Sequence, residues 1–305
     1  MKPTLFFLVG PTAVGKTTLS ISLAQRLNAE IICCDSMQIY KGMDILTSKP
    51  DLKQRHSVKH HLFSIIPVEK EFNVSEYRRL ALIKVQEILK RNKVPLFVGG
   101  SGLYMSTVVD GIFELNIDSK LLRNQLLEQA KESGIGQLYE RLKIIDPEAA
   151  DKIHPNDLRR IIRALEVYET TGIPISKLQK QRKGLSMEYD IRIVGLTLER
   201  IKLYKNINER VEEMFNKGVV SEVRKLLSGS LSLTARKAIG IKEIEDYLNG
   251  KLSLEEAKEL IKKNTRQYSR RQLTWFRKDK RIIWVDKETP DLLEKLVYIY
   301  TQTRL

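Results

Sequence analysis

The sequence holds little that would staple a small fold or bind a metal. Among 305 residues there are two cysteines, Cys33 and Cys34, and four histidines, His56, His60, His61 and His154. Neighbouring residues on a strand point to opposite faces, which disfavours a disulfide between the two thiols. Two thiols also fall short of a four-ligand zinc site. Both are expected to be buried thiols of a reducing compartment. The histidines lack partners at metal-ligand spacing and read as structural. No stretch reaches the roughly 18 to 20 consecutive apolar residues of a membrane span. Residues 1–10 lack the basic region, apolar stretch and small-residue cleavage site of a secretory signal. The expectation is a cytoplasmic, monomeric protein with no membrane partner.

What the sequence does have is charge. Lys and Arg number 53 against 38 Asp and Glu, a net charge of +15. Bulk charge leaves two readings open: simple solubility, or a polyanionic partner such as nucleic acid or anionic lipid. Only its distribution can decide between them. The apolar fraction of 42% is enough for a core.

Thr4–Val9 is an apolar run bounded by Gly-Pro, the pattern of a strand buried on both faces. Residues 17–27 then space apolar side chains at helical intervals. Glu30–Cys34 reads as a second buried strand, ending at Asp35. Tyr77–Leu89 is an amphipathic helix, and Val94–Val98 a third strand ending in Gly99-Gly100. Strands alternating with helices indicate a parallel sheet covered on both faces. From Ser119 to Leu142 the pattern is helical, with breaks at Gly134 and Gly136. Leu158–Thr170 is another helix, stopped by Gly172 and Pro174. Gln179–Gly184 reads as a polar, basic linker. Strand character returns at Asp190–Thr197 and, after further helices, at Arg281–Val285. The expected fold is α/β. A parallel sheet core flanked by helices, residues 1–113 and 186–305, carries a helical insertion domain at 114–185.

Gly10-Pro11-Thr12-Ala13-Val14-Gly15-Lys16-Thr17 fits the P-loop pattern G-x-x-x-x-G-K-[ST] at every defined position, between strand and helix. The glycines let backbone N–H groups converge on one anion, and the helix N-terminus adds positive potential. Lys16 offers a point charge to phosphate oxygens, and Thr17 a hydroxyl to Mg²⁺. The loop does not name its ligand, although ATP or GTP is usual. Most such nucleotide enzymes also carry an apolar strand ending in Asp that helps hold the metal. Here the third strand ends in Gly99-Gly100-Ser101-Gly102. The second strand ends in Asp35 and reads as the strand next to the phosphate loop. Asp35 either faces an acceptor group at the carboxyl edge of the sheet, where ligands bind, or caps a turn.

Asp35-Ser36-Met37-Gln38-Ile39-Tyr40-Lys41-Gly42-Met43-Asp44 resembles the stretch after the second strand in tRNA dimethylallyltransferases, also called tRNA isopentenyltransferases. Thr47-Ser48-Lys49-Pro50, His60-His61-Leu62, Gly99-Gly100-Ser101-Gly102-Leu103-Tyr104 and Arg163-Ala164-Leu165-Glu166 follow in the family's order. Thr265-Arg266-Gln267-Tyr268 and Arg271-Gln272-Leu273-Thr274-Trp275-Phe276 complete the pattern. The likeness spans nearly the whole chain. The core lacks a cysteine-rich zinc extension, which matches the bacterial type.

The resemblance implies transfer of a dimethylallyl group from its diphosphate to N6 of the adenosine on the 3′ side of the anticodon. The tRNAs concerned read codons that begin with U. The partners are then dimethylallyl diphosphate and the anticodon stem-loop of tRNA, with Mg²⁺ as cofactor. The loop Gly10 to Thr17 holds the allyl diphosphate rather than a nucleoside triphosphate. Asp35, Thr17 and Arg210 take the catalytic positions, with Arg210 facing the diphosphate. Without the resemblance Arg210 would read as a solvated helix charge. Thr12 and Ser101 fall near the substrate or the tRNA, and Ser36, Met37 and Gln38 join Asp35 along the tRNA, where Gln38 helps hold the flipped nucleotide. The further tRNA contacts are Arg123, Arg159, Arg160, Ile161, Ile162 and Arg163 on the insertion, with Arg266, Arg270 and Arg271 near the end.

The chemistry suits these residues. An exocyclic adenine amine is a poor nucleophile and needs a base to take its proton. A departing diphosphate needs positive groups around it. A stacked anticodon base must be pulled out before it can react.

Charge distribution agrees. Residues 262–281 carry Lys262, Lys263, Arg266, Arg270, Arg271, Arg277, Lys278, Lys280 and Arg281 against Asp279 alone. Arg266, Arg270 and Arg277 are expected on one helical face, although a solvated face without a partner remains an alternative. The chain departs from the family pattern at Ser101 (usually Thr), Ile241 (commonly Tyr), Asn206 (commonly Arg) and Leu46 (commonly Gly). Two competing readings stay open: a P-loop kinase for a small molecule or nucleotide, and a non-catalytic RNA-binding protein.

Overall fold

A computed structural model describes residues 2–113 and 120–302. The chain divides into two compact units, Met1–Val109 with Leu185–Leu305, and Asp110–Gly184. The larger unit is built on six strands: β1 (Thr4–Val9), β2 (Ala29–Cys33), β3 (His60–His61), β4 (Val94–Gly99), β5 (Asp190–Thr197) and β6 (Ile282–Asp286). They form one all-parallel sheet in the order β3-β2-β4-β1-β5-β6.

Why these strands are uninterrupted apolar runs is visible in how they divide. Leu5, Phe7 and Val9 of β1 enter one core, and Phe6 and Leu8 enter the other. Both faces of the sheet are covered, so neither can be polar. Phe7 and Phe97 stand in register on β1 and β4 and stack with ring centroids 4.4 Å apart. One face is covered by the helices Val74–Leu89, Gly102–Asp110, Val219–Leu227 and Ile241–Leu248, together with the long helix Leu254–Phe276. The helices Lys16–Arg26 and Leu292–Thr301 cover the other. The helix Arg200–Asn216 gives Leu203 and Ile207 to that second core and Val211 and Met214 to the first.

The strand order corrects one expectation. Asp35 follows β2, which was expected beside the phosphate-loop strand, yet β4 lies between β2 and β1. Order in a parallel sheet is set by where each helical crossover returns the chain, and hydrophobic period carries no record of that. Some boundaries also move. The helix expected from Tyr77 begins at Val74, because Asn73 Oδ1 accepts the N–H groups of Ser75 and Glu76 at 2.9 and 3.0 Å and Glu76 reaches back to the Asn73 N–H. Gln179 and Lys180, expected in a linker, form the end of a short helix, Ile175–Lys180.

The histidine pair makes the shortest strand and brings a buried charge network with it. Glu30 is 1% exposed. Its carboxylate accepts hydrogen bonds from Arg91 Nη2 at 2.7 Å and from His61 Nε2 at 2.6 Å. Burial holds the His61 ring below its usual value, so the neutral ring donates. Burial also opposes the Glu30 charge, but the Arg91 and His61 hydrogen bonds outweigh it and hold this carboxyl down at about 2.

The smaller unit is a helical cluster with its own core, which includes Leu126, Leu138, Leu142, Ile161, Ile162 and Leu165. Asp146 is 3% exposed and ties two of its helices together, accepting from the Ala149 N–H at 3.0 Å and the Ser176 N–H at 2.9 Å. The expected tRNA contacts at Ile161 and Ile162 are corrected here, because these side chains are 0% and 4% exposed in that core. On an amphipathic helix, residues between two surface arginines turn inward. Arg159 and Arg160 are exposed. Arg123 and Arg163 both bond the carboxylate of Glu166, itself 1% exposed, at 2.9 Å.

The Glu30 network predicts an acid limit. A carboxyl held at about 2 in the fold, against an ordinary value near 4.5, stabilises the fold above that ordinary value. That contribution is lost as pH falls from about 4.5 towards 2. Glu30→Gln is expected to cost roughly 1–3 kcal/mol at neutral pH, because Arg91 and His61 lose a charged acceptor. The loss should shrink as the pH is lowered through that window. Denaturant titrations of both proteins across pH measure it, and a difference independent of pH would count against the network.

Candidate active site

At the carboxyl edge of the sheet, β1 runs into the loop Gly10 to Thr17. The backbone leaves β1 at Gly10 with φ +146°, and a side chain there would sit 2.8 Å from the Leu196 carbonyl oxygen. Ala13 takes a positive φ of 63°, and Gly15 forms the N-cap of the Lys16–Arg26 helix. The Lys16 ammonium turns back over the loop and donates to the Gly10 and Pro11 carbonyls at 2.9 and 2.6 Å. Burial pushes this lysine down to about 7; Asp35 acts to raise it, and Arg210 to lower it.

Two neighbours hold the loop from outside. Asn206 Nδ2 donates to the Ala13 carbonyl at 3.2 Å. Gln272 is 5% exposed and bridges the loop to the end of β4: its Oε1 accepts the Thr12 N–H at 2.9 Å and its Nε2 donates to the Gly100 carbonyl at 2.9 Å. The Gly-Gly end of β4, where a carboxylate would stand in many P-loop enzymes, is thus taken by a side-chain amide.

Asp35 follows β2 into a tight turn. Its Oδ1 accepts the Met37 N–H at 2.9 Å and the Gln38 N–H at 3.4 Å. One oxygen thus caps the turn, and Asp35 also lines a cavity of about 760 Å³ with Lys16, Thr17, Gln38, Arg210 and Gln272. Ser101 Oγ accepts the Ser36 N–H at 3.0 Å, which joins the start of this turn to the end of β4. Gln38 Nε2 and Arg210 Nη2 both donate to the Thr47 carbonyl, at 3.0 and 3.1 Å. Burial lowers the Arg210 guanidinium, while Asp35 and Glu213 oppose that shift. Ile45, Phe63 and Met214 give the same cavity an apolar side.

The remaining expected residues lie elsewhere. Arg270 and Arg271 are exposed and share a shallow recess of about 390 Å³ with Trp275 and Lys278. The Arg271 guanidinium stands 5.8 Å from the Tyr268 ring centroid. Arg266 is half-buried and donates to Asn208 Oδ1 at 2.7 Å. Lys262 is corrected as part of a free basic face. It is 11% exposed and paired with Glu212 at 2.6 Å and Glu259 at 2.7 Å. Counting charge along the segment missed Glu212, which comes from a neighbouring helix. Arg281 is paired with Asp279. Arg123, Arg159, Arg160 and Arg163 belong to the smaller unit.

Sequence reasoning missed Gln272, Asn206 and Tyr268. The Tyr268 phenol is held well above its usual value, first by burial and then by the Asp35 charge, which places it within the field of this site. The signal for Gln272 was a lone amide at an inward position of an amphipathic helix.

A model of the IPP transferase family matches residues 38–279. A tRNA dimethylallyltransferase of Carboxydothermus hydrogenoformans is 47% identical over 97% of this chain and 96% of its own. One of Halothermothrix orenii is 46% identical over 94% and 89%. A crystal structure of the full-length tRNA isopentenylpyrophosphate transferase of Bacillus halodurans superposes with a TM-score of 0.70 at 40% identity, covering 98% of this chain and 95% of that one. A eukaryotic dimethylallyltransferase described as acting on tRNA superposes with a TM-score of 0.78 at 30% identity, covering 95% of this chain and 75% of that one. The chain belongs to the tRNA dimethylallyltransferase family. The kinase alternative finds no support in these relatives.

Three departures from the dimethylallyltransferase pattern now have structural positions. Asn206 keeps a hold on the phosphate loop through the Ala13 carbonyl. Leu46 and Ile241 are 5% and 0% exposed and belong to the core. They are neighbours in effect, because Leu46 Cδ1 lies 2.6 Å from where a side chain on Gly240 would begin. Leu46 therefore fills the space that the glycine before Ile241 leaves.

The lysine at about 7 generates a pH prediction. Near neutrality part of Lys16 is uncharged in the free protein, and a bound polyanion favours its charged form. Binding of inorganic diphosphate should therefore take up protons, and affinity should weaken as pH rises from about 7 to about 9. The ligand itself gains charge over that range, which acts in the opposite direction. Calorimetry in buffers of different ionisation enthalpy gives the net proton count. The ligand's share is common to wild type and to Lys16→Arg, which stays charged, and an equal count in the two would rule out this role for Lys16.

Proposed function

We propose that this protein transfers the dimethylallyl group of dimethylallyl diphosphate to N6 of the adenosine on the 3′ side of the anticodon of tRNA. One observation carries the reading: Asp35, Lys16 and Arg210 face one cavity that also has an apolar side. A kinase needs the phosphate grip, but an allyl transfer also needs room for a hydrocarbon and a base opposite the leaving group.

In the step proposed, the adenine N6 lone pair attacks the allylic carbon that bears the diphosphate. The C–N bond forms as the C–O bond breaks, and the bonding pair leaves on diphosphate. The Asp35 carboxylate accepts the N6 proton. Lys16, Arg210 and the loop amides stabilise the charge that collects on the leaving group. Gln38, braced on the Thr47 carbonyl, holds the extruded base. Diphosphate loss at an allylic carbon requires no redox partner.

Magnesium fits this donor set as an ion carried by the substrate. Among the described residues no group of three or more His, Cys, Asp or Glu side chains stands ready for a metal. The Thr17 hydroxyl is a hard oxygen at the helix start and would hold Mg²⁺ together with diphosphate oxygens. The ion would neutralise charge on the leaving group.

The exposed Arg270, Arg271, Arg277 and Lys278 form the surface proposed to meet RNA phosphates in the larger unit. Exposed Arg159 and Arg160 supply one in the smaller unit.

Protein incubated with Mg²⁺, dimethylallyl diphosphate and unmodified tRNA should yield a prenylated adenosine by mass spectrometry. Asp35→Ala should lower turnover by about 10²- to 10⁴-fold with tRNA binding retained. ATP consumption without prenylated product would sink the transferase reading, and wild-type turnover in Asp35→Ala would remove Asp35 as base. Affinity for tRNA should fall on the order of tenfold to a hundredfold between about 50 and 200 mM salt, as bound phosphates release counterions. A flat salt response would overturn the assignment of the basic surface.

A further inference from the structure

We propose that Glu222 is a positioning residue for the transfer step, acting on both halves of the site through one backbone carbonyl. The proposal rests on the roles given above to Gln38 and Arg210. Glu222 stands in the first turn of the Val219–Leu227 helix. Its Oε2 accepts the N–H groups of Asp44 and Ile45 at 2.9 and 2.8 Å, and its Oε1 accepts the Leu46 N–H at 2.8 Å. One carboxylate thus takes three consecutive amides of a loop 176 to 178 residues away in sequence. Hydrogen bonds to an ionised acceptor are roughly twice as strong as neutral ones.

The residue after those three amides is Thr47, whose carbonyl takes both the Gln38 amide and the Arg210 guanidinium. The group that holds the base and the group that faces the diphosphate are therefore referred to a single oxygen atom. Thr47 Oγ1 bonds the Met43 carbonyl at 2.6 Å, and Lys49 Nζ bonds Asp44 Oδ1 at 2.8 Å. Those contacts shape the loop within itself. Glu222 ties it to a helix fixed in the core by Val223, which is 0% exposed. A drift of the loop would move the two functional groups together, and a misplacement of about 1 Å is enough to cost a hundredfold in rate.

Glu222→Gln keeps the shape but removes the charge and turns one acceptor into a donor facing an amide. It should lower kcat about tenfold to a hundredfold with tRNA affinity within about twofold. In a Gln38→Ala or an Arg210→Ala background the same substitution should cost markedly less, because one of the two groups it positions is gone. Equal cost in all three backgrounds would mean a general structural role and overturn the proposal. A second measurement uses the wild type alone: the Asp44, Ile45 and Leu46 amides should exchange slowly with deuterated water. Exchange at the rate of an open loop would overturn the clamp even if the variant failed to fold. No product from the wild type sinks the transferase reading and this role with it. An active wild type matched by Glu222→Gln sinks this role alone.

Discussion

Lys16 and Arg210 are two cations drawn away from water at one edge of a parallel sheet, and Asp35 is the carboxylate that offsets both. Buried charge is tolerated only with partners, and much of the site consists of those partners. The Gly10, Pro11 and Thr47 carbonyls receive the two cations. The amides of Met37 and Gln38 receive the carboxylate. Two cations facing one carboxylate favour an anionic ligand, as the allyl diphosphate proposed above would be.

The scaffold then has to hold that charge still. It does so with neutral amides brought from distant parts of the chain. Gln272 comes from the last long helix and locks the phosphate loop to the end of β4. Asn206 comes from the helix that also carries Arg210, so the loop and the guanidinium share one support. Gly100, just past β4, leaves the approach that Gln272 uses, because a side chain there would begin 2.1 Å from the Gln272 Nε2.

Much of this was legible in the sequence, for identifiable reasons. The strands of the sheet are continuous apolar runs because both faces are covered, and a phosphate loop between strand and helix is a local pattern. Lys16 and Asp35 could be named from motif blocks, and Arg210 from the family resemblance. Long-range choices were not legible. Hydrophobic period does not say that β4 lies between β2 and β1. His60–His61 is too short to show any period, and its pairing depends on Glu30 on another strand. Ile161 and Ile162 sat in a row with three arginines, and only the helical turn separates the inward side chains from the outward ones. Lys262 counted as free charge until Glu212 arrived from the neighbouring helix. In each case the deciding partner is remote in sequence.

The intervening strand β4 also acts as a ruler. Neighbouring strands stand about 4.8 Å apart, so the carboxyl ends of β1 and β2 are separated by two such steps, roughly 10 Å. In the transfer proposed, the reacting line runs from carboxylate oxygen through amine nitrogen, allylic carbon and bridging oxygen to phosphorus, and the intervening strand sets the span across which that line must fit.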